Sequence, residues 1–160
     1  EEPERQHMKA IMVDRQWLHQ PRHFMANGAI LPNPEQSERI DRLLTGTRDA
    51  GCNVETPDVA GIGSIVARHS PEYLTFLEHI HTQWERIYGA GEKVTPNTHA
   101  ANRSDSYPKS AVGQAGFHQA DTACPIAKGT WEAAYRSAQT AIIAGENLAS
   151  VLGGYQDAAG

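Results

Sequence analysis

Histidine is the residue type that most suggests chemistry in this 160-residue chain, which holds eight histidines. His79 and His81 would present both rings to one side only on a strand, because strand side chains alternate with a period of two. The pair falls inside a strongly helical pattern, so we interpret it as one surface and one core-edge histidine. His19 and His23 have the i, i+4 spacing of a zinc pair, but Pro21 between them interrupts any helix. Histidine spacing alone therefore predicts no metal site.

Motifs for nucleophilic and phosphate chemistry are also missing from the sequence. It contains no Gly-x-Ser-x-Gly elbow, no glycine-rich phosphate loop and no His-Glu-x-x-His helix. The segment Gly61-Ile62-Gly63 lacks a third glycine and a convincing preceding strand, which indicates a turn. Residue types alone therefore show no complete active site.

Charge and hydropathy narrow the class of protein. A formal net charge of -5 argues against a non-specific nucleic-acid binder, which needs a basic surface, and against binding to an anionic membrane. No apolar run approaches the ~18 residues of a membrane span. Residues 1–7 are acidic and polar, whereas Met8 begins an apolar run. We predict that Met8 is the natural start, that 1–7 is an upstream extension, and that the protein is cytoplasmic.

Strand patterns are few. The continuous apolar run Ala10–Val13 predicts a buried strand of a parallel sheet. Residues 20–28 are interpreted as a loop, residues 31–34 as extended chain, and residues 53–57 as weakly strand-like. Two strands cannot cover the apolar faces of the helices that the sequence predicts. The pattern therefore indicates an α/β domain whose sheet is incomplete in this chain.

Helices are predicted more clearly, from their capping residues. Ser37 precedes a helical pattern that should end near Gly51, where glycine can take the left-handed conformation. Ser70, followed by proline and glutamate, predicts the start of a long helix ending near Gly89. The last predicted helix covers 129–152. Its expected packing stripe consists of Trp131, Ala134, Tyr135, Ala138, Ala141, Ile142 and Gly145.

A polar stretch over 91–110 separates the last two predicted helices. It exceeds the ~12–15 residues usual for a loop, which is typical of a functional, interface-forming or mobile segment.

Three motifs carry a resemblance to a known family. Residues 33–40 resemble the signature Pro-Glu-x-Pro-x-Arg, with Ser37 in place of the second proline. Residues 69–78 resemble a His-Ser-x-x-Tyr-x-x-Phe-Leu helix start, and 121–126 followed by 129–134 resemble the acetylpolyamine amidohydrolase subgroup. Because they occur in the family's order and spacing, the chain resembles the N-terminal part of the zinc-dependent deacetylases of the acetylpolyamine amidohydrolase and histone deacetylase superfamily.

That resemblance implies a fold and a mechanism. It implies that 8–160 is the N-terminal part of one arginase-like α/β deacetylase domain, a parallel sheet with helices on both faces. In the family, zinc polarises the acetyl carbonyl and activates water while histidine handles the proton. In the family, the catalytic histidines, zinc ligands and tyrosine come after the part that this chain resembles, which reaches Gly160. The expectation is therefore a fragment without catalytic residues, which binds no zinc and is inactive alone.

The resemblance also assigns three substrate-channel residues. Arg39 matches an arginine beside the internal channel for acetate, with an exposed helix arginine as the alternative. Asp121 lies near a rim carboxylate that orients substrate, although Ala123 occupies the matching position and Asp121 could instead brace the loop or cap a helix. Phe24 occupies the place of a glutamate that meets the substrate's distant ammonium, so it would line an apolar tunnel or stack on a cation.

Substrate and partners follow from the same resemblance. The substrate is expected to be acetyl-lysine or another small acetylated amine such as an acetylpolyamine. The 91–110 loop is expected to be a homodimer element, with a mobile solvent loop as the alternative. Two other functions remain open: a complete small binding protein, and a non-catalytic deacetylase-like interaction module.

Overall fold

The computed structural model describes residues 8–97, 99 and 106–157. The predicted extension 1–7, and positions 98 and 100–105 of the predicted long loop, lie outside the described residues. Within the described part, no helix has both the length and the apolar character needed to cross a bilayer.

A short parallel strand pair is the centre of the α/β arrangement. Strand β1 (Lys9–Ile11) pairs in parallel with a later strand, Asn53–Glu55, with Ala10 opposite Val54. The Met12 amide extends the pairing by donating to the Glu55 carbonyl at 2.9 Å. The predicted α/β fold class is confirmed, and both predicted strands are present.

Between these strands lies a β-hairpin that the sequence analysis did not predict. Strands β2 (His23–Ala26) and β3 (Ala29–Pro32) pair antiparallel. Asn27 and Gly28 form the two-residue turn, with φ angles of 52° and 75°. The interpretation of 20–28 as a loop was wrong, because Asn-Gly with two positive φ angles is the preferred turn of a two-residue hairpin. Strand β3 is exposed along its length.

Helices make up most of the remaining fold. Numbering Asn53–Glu55 as β4, the helices in chain order are α1 (Glu38–Asp49), α2 (Gly63–Val66), α3 (Pro71–Trp84), α4 (Ala111–His118) and α5 (Thr130–Asp157). The predicted cap of α3 is confirmed, since the Ser70 hydroxyl accepts the Tyr73 amide at 3.2 Å. Ser37 is itself helical and makes no cap bond to α1. Helix α3 ends at Trp84, before the predicted Gly89.

The main apolar core lies where α3 and α4 meet an isolated antiparallel bridge between Val94 and Ile126. Trp84 belongs to this core and also donates from Nε1 to the Gly91 carbonyl at 3.1 Å. The core therefore fixes the start of the predicted long loop. Its buried members are Phe76, Ile80, Trp84, Val94, Ala115 and Ile126.

Helix α5 packs against β1 and the 3₁₀ turn Gln16–Leu18 on a face that differs from the predicted one. Ala133 and Ile143 are buried on that face, and between them the Thr140 hydroxyl accepts the Val13 amide at 3.2 Å. This polar contact lies on the packed face of the helix, and apolar periodicity does not encode it. Three residues of the predicted stripe are exposed instead, namely Ala134, Ala141 and Gly145.

Gly129 makes the close approach between α5 and the 3₁₀ turn possible. Its φ angle is 84°, and a Cβ there would lie 2.8 Å from the Leu18 carbonyl oxygen. Only glycine meets both conditions without strain. The predicted start of the last helix at this glycine is confirmed to within one residue.

Candidate functional site

Two cavities lie side by side at the start of α5, and His19, Thr130 and Ala134 contribute to both. The first, which we call the α1 cavity, has a volume of about 500 Å³. The second, the rim cavity, has a volume of about 450 Å³. The α1 cavity is also lined by Gln16, Glu35, Gln36, Ser37, Arg39, Ile40, Leu43, Ala133 and Ser137. The rim cavity is also lined by Asn33, Tyr73, Phe76, Leu77, His118, Gln119, Ala120, Ala123, Cys124, Pro125 and Ile126.

His19 forms part of the wall between the cavities. Its Nδ1 lies 2.8 Å from the Thr130 hydroxyl oxygen, which also accepts the Ala127 amide at 2.9 Å. The hydroxyl hydrogen is thus available to Nδ1, and burial lowers the pKa of His19, which favours the neutral ring. His23 lies on β2 and is exposed. The i, i+4 spacing of His19 and His23 therefore does not predict the partner that His19 has in the structure, which is Thr130.

Arg39 lies on the first turn of α1 and lines the α1 cavity. Its Nη1 is 3.3 Å from Glu35 Oε2, and both side chains are about 70% exposed (69% and 71%). Exposed pairs at this spacing contribute only about 0.3–0.5 kcal/mol. The guanidinium is therefore weakly held, and its predicted role in an acetate channel stays a prediction.

Asp121 lies at the start of the loop 121–126. Its Oδ1 accepts the Ala123 amide at 2.8 Å, which is a loop-bracing contact. Ala123 lines the rim cavity, whereas Asp121 is not among the lining residues. The carboxylate thus holds the loop in shape from beside the cavity. Its predicted contact with substrate stays a prediction.

Phe24 lies in the middle of β2, half-buried. The carbonyl groups on either side of it are bound by side chains from elsewhere in the chain. Thr122 donates to the Met25 carbonyl at 3.0 Å, and the Lys93 ammonium donates to the His23 carbonyl. Phe24 does not line either cavity. However, Asn33, which follows β3, does line the rim cavity, so the hairpin lies beside that cavity.

An aromatic cluster around His118 is the main feature of the site that sequence reasoning missed. The His118 ring centroid is 4.3 Å from that of Phe76 and 5.6 Å from that of Tyr73. Its Nε2 lies 3.0 Å from the Tyr107 hydroxyl. Burial lowers the pKa of His118, although the nearby Glu72 carboxylate opposes the shift. The available signal was the aromatic spacing in α3, but α4, which carries His118, was not predicted.

The predicted 91–110 loop is anchored where its two ends are described. At its start, His81 Nε2 lies 3.1 Å from the Glu92 carbonyl oxygen, beside the bond from Trp84 to Gly91. At its end, Tyr107 contacts His118 on α4. Its predicted role in dimerisation stays a prediction.

Metal-ligand chemistry is not assembled in the part of the chain that the structure describes. No group of three or more histidine, cysteine, aspartate or glutamate side chains there could hold a metal ion. The described residues therefore do not fit a zinc ion. The zinc ligands implied by the resemblance would have to come from other residues.

Comparison of the sequence with known proteins finds relatives that are all acetylpolyamine amidohydrolases. The chain is 36% identical over 130 residues to the acetylpolyamine amidohydrolase of Burkholderia pseudomallei, covering 81% of this chain and 38% of that protein. It is 28% identical over 144 residues to acetylpolyamine amidohydrolase 1 of Pseudomonas aeruginosa, covering 88% and 42%. The corresponding protein of Mycoplana ramosa is 26% identical over 144 residues. No family model matches the chain.

Comparison of the fold agrees with the comparison of sequence. The crystal structure of an acetylpolyamine aminohydrolase from Burkholderia pseudomallei matches with a TM-score of 0.79 and 34% identity. The match covers 84% of this chain and 39% of that one. The chain thus spans about two fifths of the length of the relatives it matches (38–42%). The resemblance and the deacetylase-like fold that the motifs predicted are confirmed.

Proposed function

Because this chain is homologous to part of the acetylpolyamine amidohydrolases, we propose that it is the N-terminal part of a zinc-dependent deacetylase. The complete enzyme would hydrolyse the N-acetyl group of an acetylated amine. The observation that supports this most strongly is 36% identity over 81% of the chain to a protein of that name. A fold match at a TM-score of 0.79 supports it independently of the motifs.

In this proposal the chain supplies residues that line and position the substrate cavities, not the catalytic groups. The rim cavity, with Tyr73 and Phe76 in its lining, provides the apolar and aromatic surface on which an alkyl amine can lie. The α1 cavity, with Arg39 in its lining, provides a cation beside which acetate can leave. His19, kept neutral by burial, separates the two without adding charge to either.

Phe24 bears on the choice of substrate. A phenyl ring meets an ammonium only through its π face, which contributes about 0.5–1 kcal/mol at an exposed site. We propose that the site beside Phe24 accepts both acetyl-lysine and acetylpolyamine substrates. Asp121 braces the adjacent loop 121–126, which we call the rim loop. Zinc would be bound by residues other than those described, and the 91–110 loop would contribute to a homodimer.

The test compares the full-length protein that contains this chain with residues 1–160 alone. Each is assayed for amine release from an acetylated diamine, an acetyl-lysine peptide and an uncharged N-alkylacetamide. We expect the full-length protein to hydrolyse the first two substrates, to lose activity with a chelator and to regain it with zinc. Residues 1–160 should show neither turnover nor tight zinc binding by calorimetry.

Two outcomes would contradict the proposal. Turnover by residues 1–160 would show that the catalytic groups lie within this chain. A folded full-length protein without turnover on any acetylated amine would favour the non-catalytic interaction module.

A further inference from the structure

The outer edge of β2 presents two backbone carbonyls, those of His23 and Met25. The Asn33 amide donates to the Arg22 carbonyl at 2.9 Å, so that pair is a hydrogen-bonded pair of the hairpin. Bonded and non-bonded pairs alternate along an antiparallel ladder. His23 and Met25 therefore belong to non-bonded pairs, and their carbonyls point away from β3.

Two side chains donate hydrogen bonds to these carbonyls, where a neighbouring strand would donate its backbone amides. The Thr122 hydroxyl donates to the Met25 carbonyl at 3.0 Å, and the Lys93 ammonium donates to the His23 carbonyl. Phe24 is the residue between the two bound carbonyls. Its backbone is thus fixed on both sides by residues 69 and 98 positions away in the sequence.

The segments that carry these two donors are themselves joined. Val94, next to Lys93, donates from its amide to the Ile126 carbonyl at 2.9 Å, and both residues of this bridge are buried. The loop that ends at Ile126 is held further by Gln119, whose Nε2 donates to the Cys124 carbonyl at 2.9 Å. The hairpin, the start of the 91–110 loop and the rim loop are therefore each joined to the other two by hydrogen bonds.

We propose that Thr122 and Lys93 are positioning residues that fix the hairpin beside the rim cavity and so determine which acetylated amines are accepted. The proposal rests on the proposed deacetylase function, in which Phe24, beside the rim cavity and not in its lining, meets the distant end of a substrate that lies in that cavity. Thr122 contributes more than Lys93. Its hydroxyl is on a short, half-buried side chain, whereas the lysine ammonium is on a flexible four-carbon stem.

The positioning role is tested first by hydrogen exchange in the full-length protein that contains this chain, which needs no activity. Thr122→Val keeps the shape of the side chain and removes the donor. We expect the amides of Phe24 and Leu31, in the bonded pair of the hairpin, to exchange about twofold to tenfold faster. Thr122→Ser should restore the wild-type rate, and Lys93→Met should have a smaller effect.

A matched control is available in α3. The Thr75 hydroxyl donates to the Pro71 carbonyl at 2.8 Å, so Thr75→Val removes a bond of the same kind that does not involve the hairpin. It should leave exchange in the hairpin unchanged. Equal hairpin exchange in Thr122→Val and wild type would overturn the positioning role, whatever the enzyme's activity.

The specificity role is tested in the full-length enzyme. We expect Thr122→Val to raise KM and to change, by at least about twofold, the ratio of kcat/KM for an acetylated diamine over an uncharged acetamide. The value of kcat should change little, and Thr122→Ser should restore both quantities. An unchanged ratio together with faster exchange would overturn the specificity role. An inactive wild-type enzyme would overturn the proposed function and the specificity role together, while exchange would still decide the positioning role.

Discussion

His19 shows how a single residue links distant parts of this chain. It contacts Thr130, 111 positions away, and its neutral form suits that contact because the threonine hydroxyl can donate to Nδ1. Burial lowers the pKa of His19 from 6.5. The unfolded chain therefore binds the proton more tightly than the folded chain, so protonation favours unfolding.

We predict from this that acid weakens the fold through His19. The contribution of His19 to the free energy of unfolding should be complete above pH 6.5 and should be lost progressively as the pH drops below that value. His19→Asn keeps an acceptor near the Nδ1 position and cannot titrate, so it should make the free energy of unfolding depend less steeply on pH. Urea unfolding of wild type and variant on either side of pH 6.5 measures this dependence. Some dependence should remain, because burial also lowers the pKa of His118. Identical pH dependence in wild type and variant would contradict the role of His19.

Local contacts of single residues could be predicted from sequence, and long-range contacts could not. The Ser70 cap was predicted because donor and acceptor lie three residues apart, and the bond is present. The same reasoning suggested Ser37 as a helix start, yet its hydroxyl accepts from Gln20 instead. No spacing rule could place His19 against Thr130, since that contact depends on how α5 meets the 3₁₀ turn.

At the scale of elements, the junction between the 3₁₀ turn and α5 depends on Gly129. Alanine there would hold a positive φ angle, which costs roughly 1–2 kcal/mol for a residue with a Cβ. It would also place that Cβ 2.8 Å from a backbone oxygen. We predict that Gly129→Ala lowers the free energy of unfolding by at least about this amount.

Gly145 is the matched control within the same helix. It is exposed, and a Cβ there would meet nothing within 4 Å. Gly145→Ala should raise the free energy of unfolding by about 0.5–1 kcal/mol, because alanine is the better helix former. Denaturant unfolding of the two variants should thus show opposite signs. Destabilisation by both would contradict the argument from conformation.

Elements were predictable where their own residues define them. Helices α1, α3 and α5 were predicted from their helical periodicity. The serine cap of α3 is confirmed, whereas α1 has no side-chain cap and α5 packs on a different face from the predicted one. Helix α4 was missed because it contains two glycines, Gly113 and Gly116, and is short. Its stability comes from packing, since Ala115 and Gly116 are buried and the helix contacts α3. The hairpin was missed although its Asn27-Gly28 turn was visible in the sequence.

At the scale of the whole molecule, many apolar side chains face solvent. Leu43 on α1 is 60% exposed, and three residues near the end of α5 are similarly exposed. The three α5 residues recur at i, i+3 and i+4 and so share one helix face, and contiguous apolar surface of this kind commonly promotes association. The α5 residues are Leu148 (60%), Val151 (61%) and Leu152 (58%).

We therefore predict that residues 1–160 self-associate in solution and have marginal stability. Light scattering should show a mass that rises with protein concentration. Leu148→Gln combined with Val151→Thr should lower the mass at a given concentration, because both changes remove exposed apolar surface. The neighbouring change Glu146→Gln should not. A sharply melting monomer at all concentrations would contradict the prediction.

The form of such assemblies follows from the hairpin. An incoming strand needs a row of outward donors and acceptors on the strand it joins. Within the four residues of β3, the non-bonded positions are Ile30 and Pro32. Proline has no amide hydrogen, so Ile30 is left as the single outward donor along β3. The outward carbonyls of His23 and Met25 on β2 are already bound by Lys93 and Thr122. The hairpin is therefore a poor template for fibril growth.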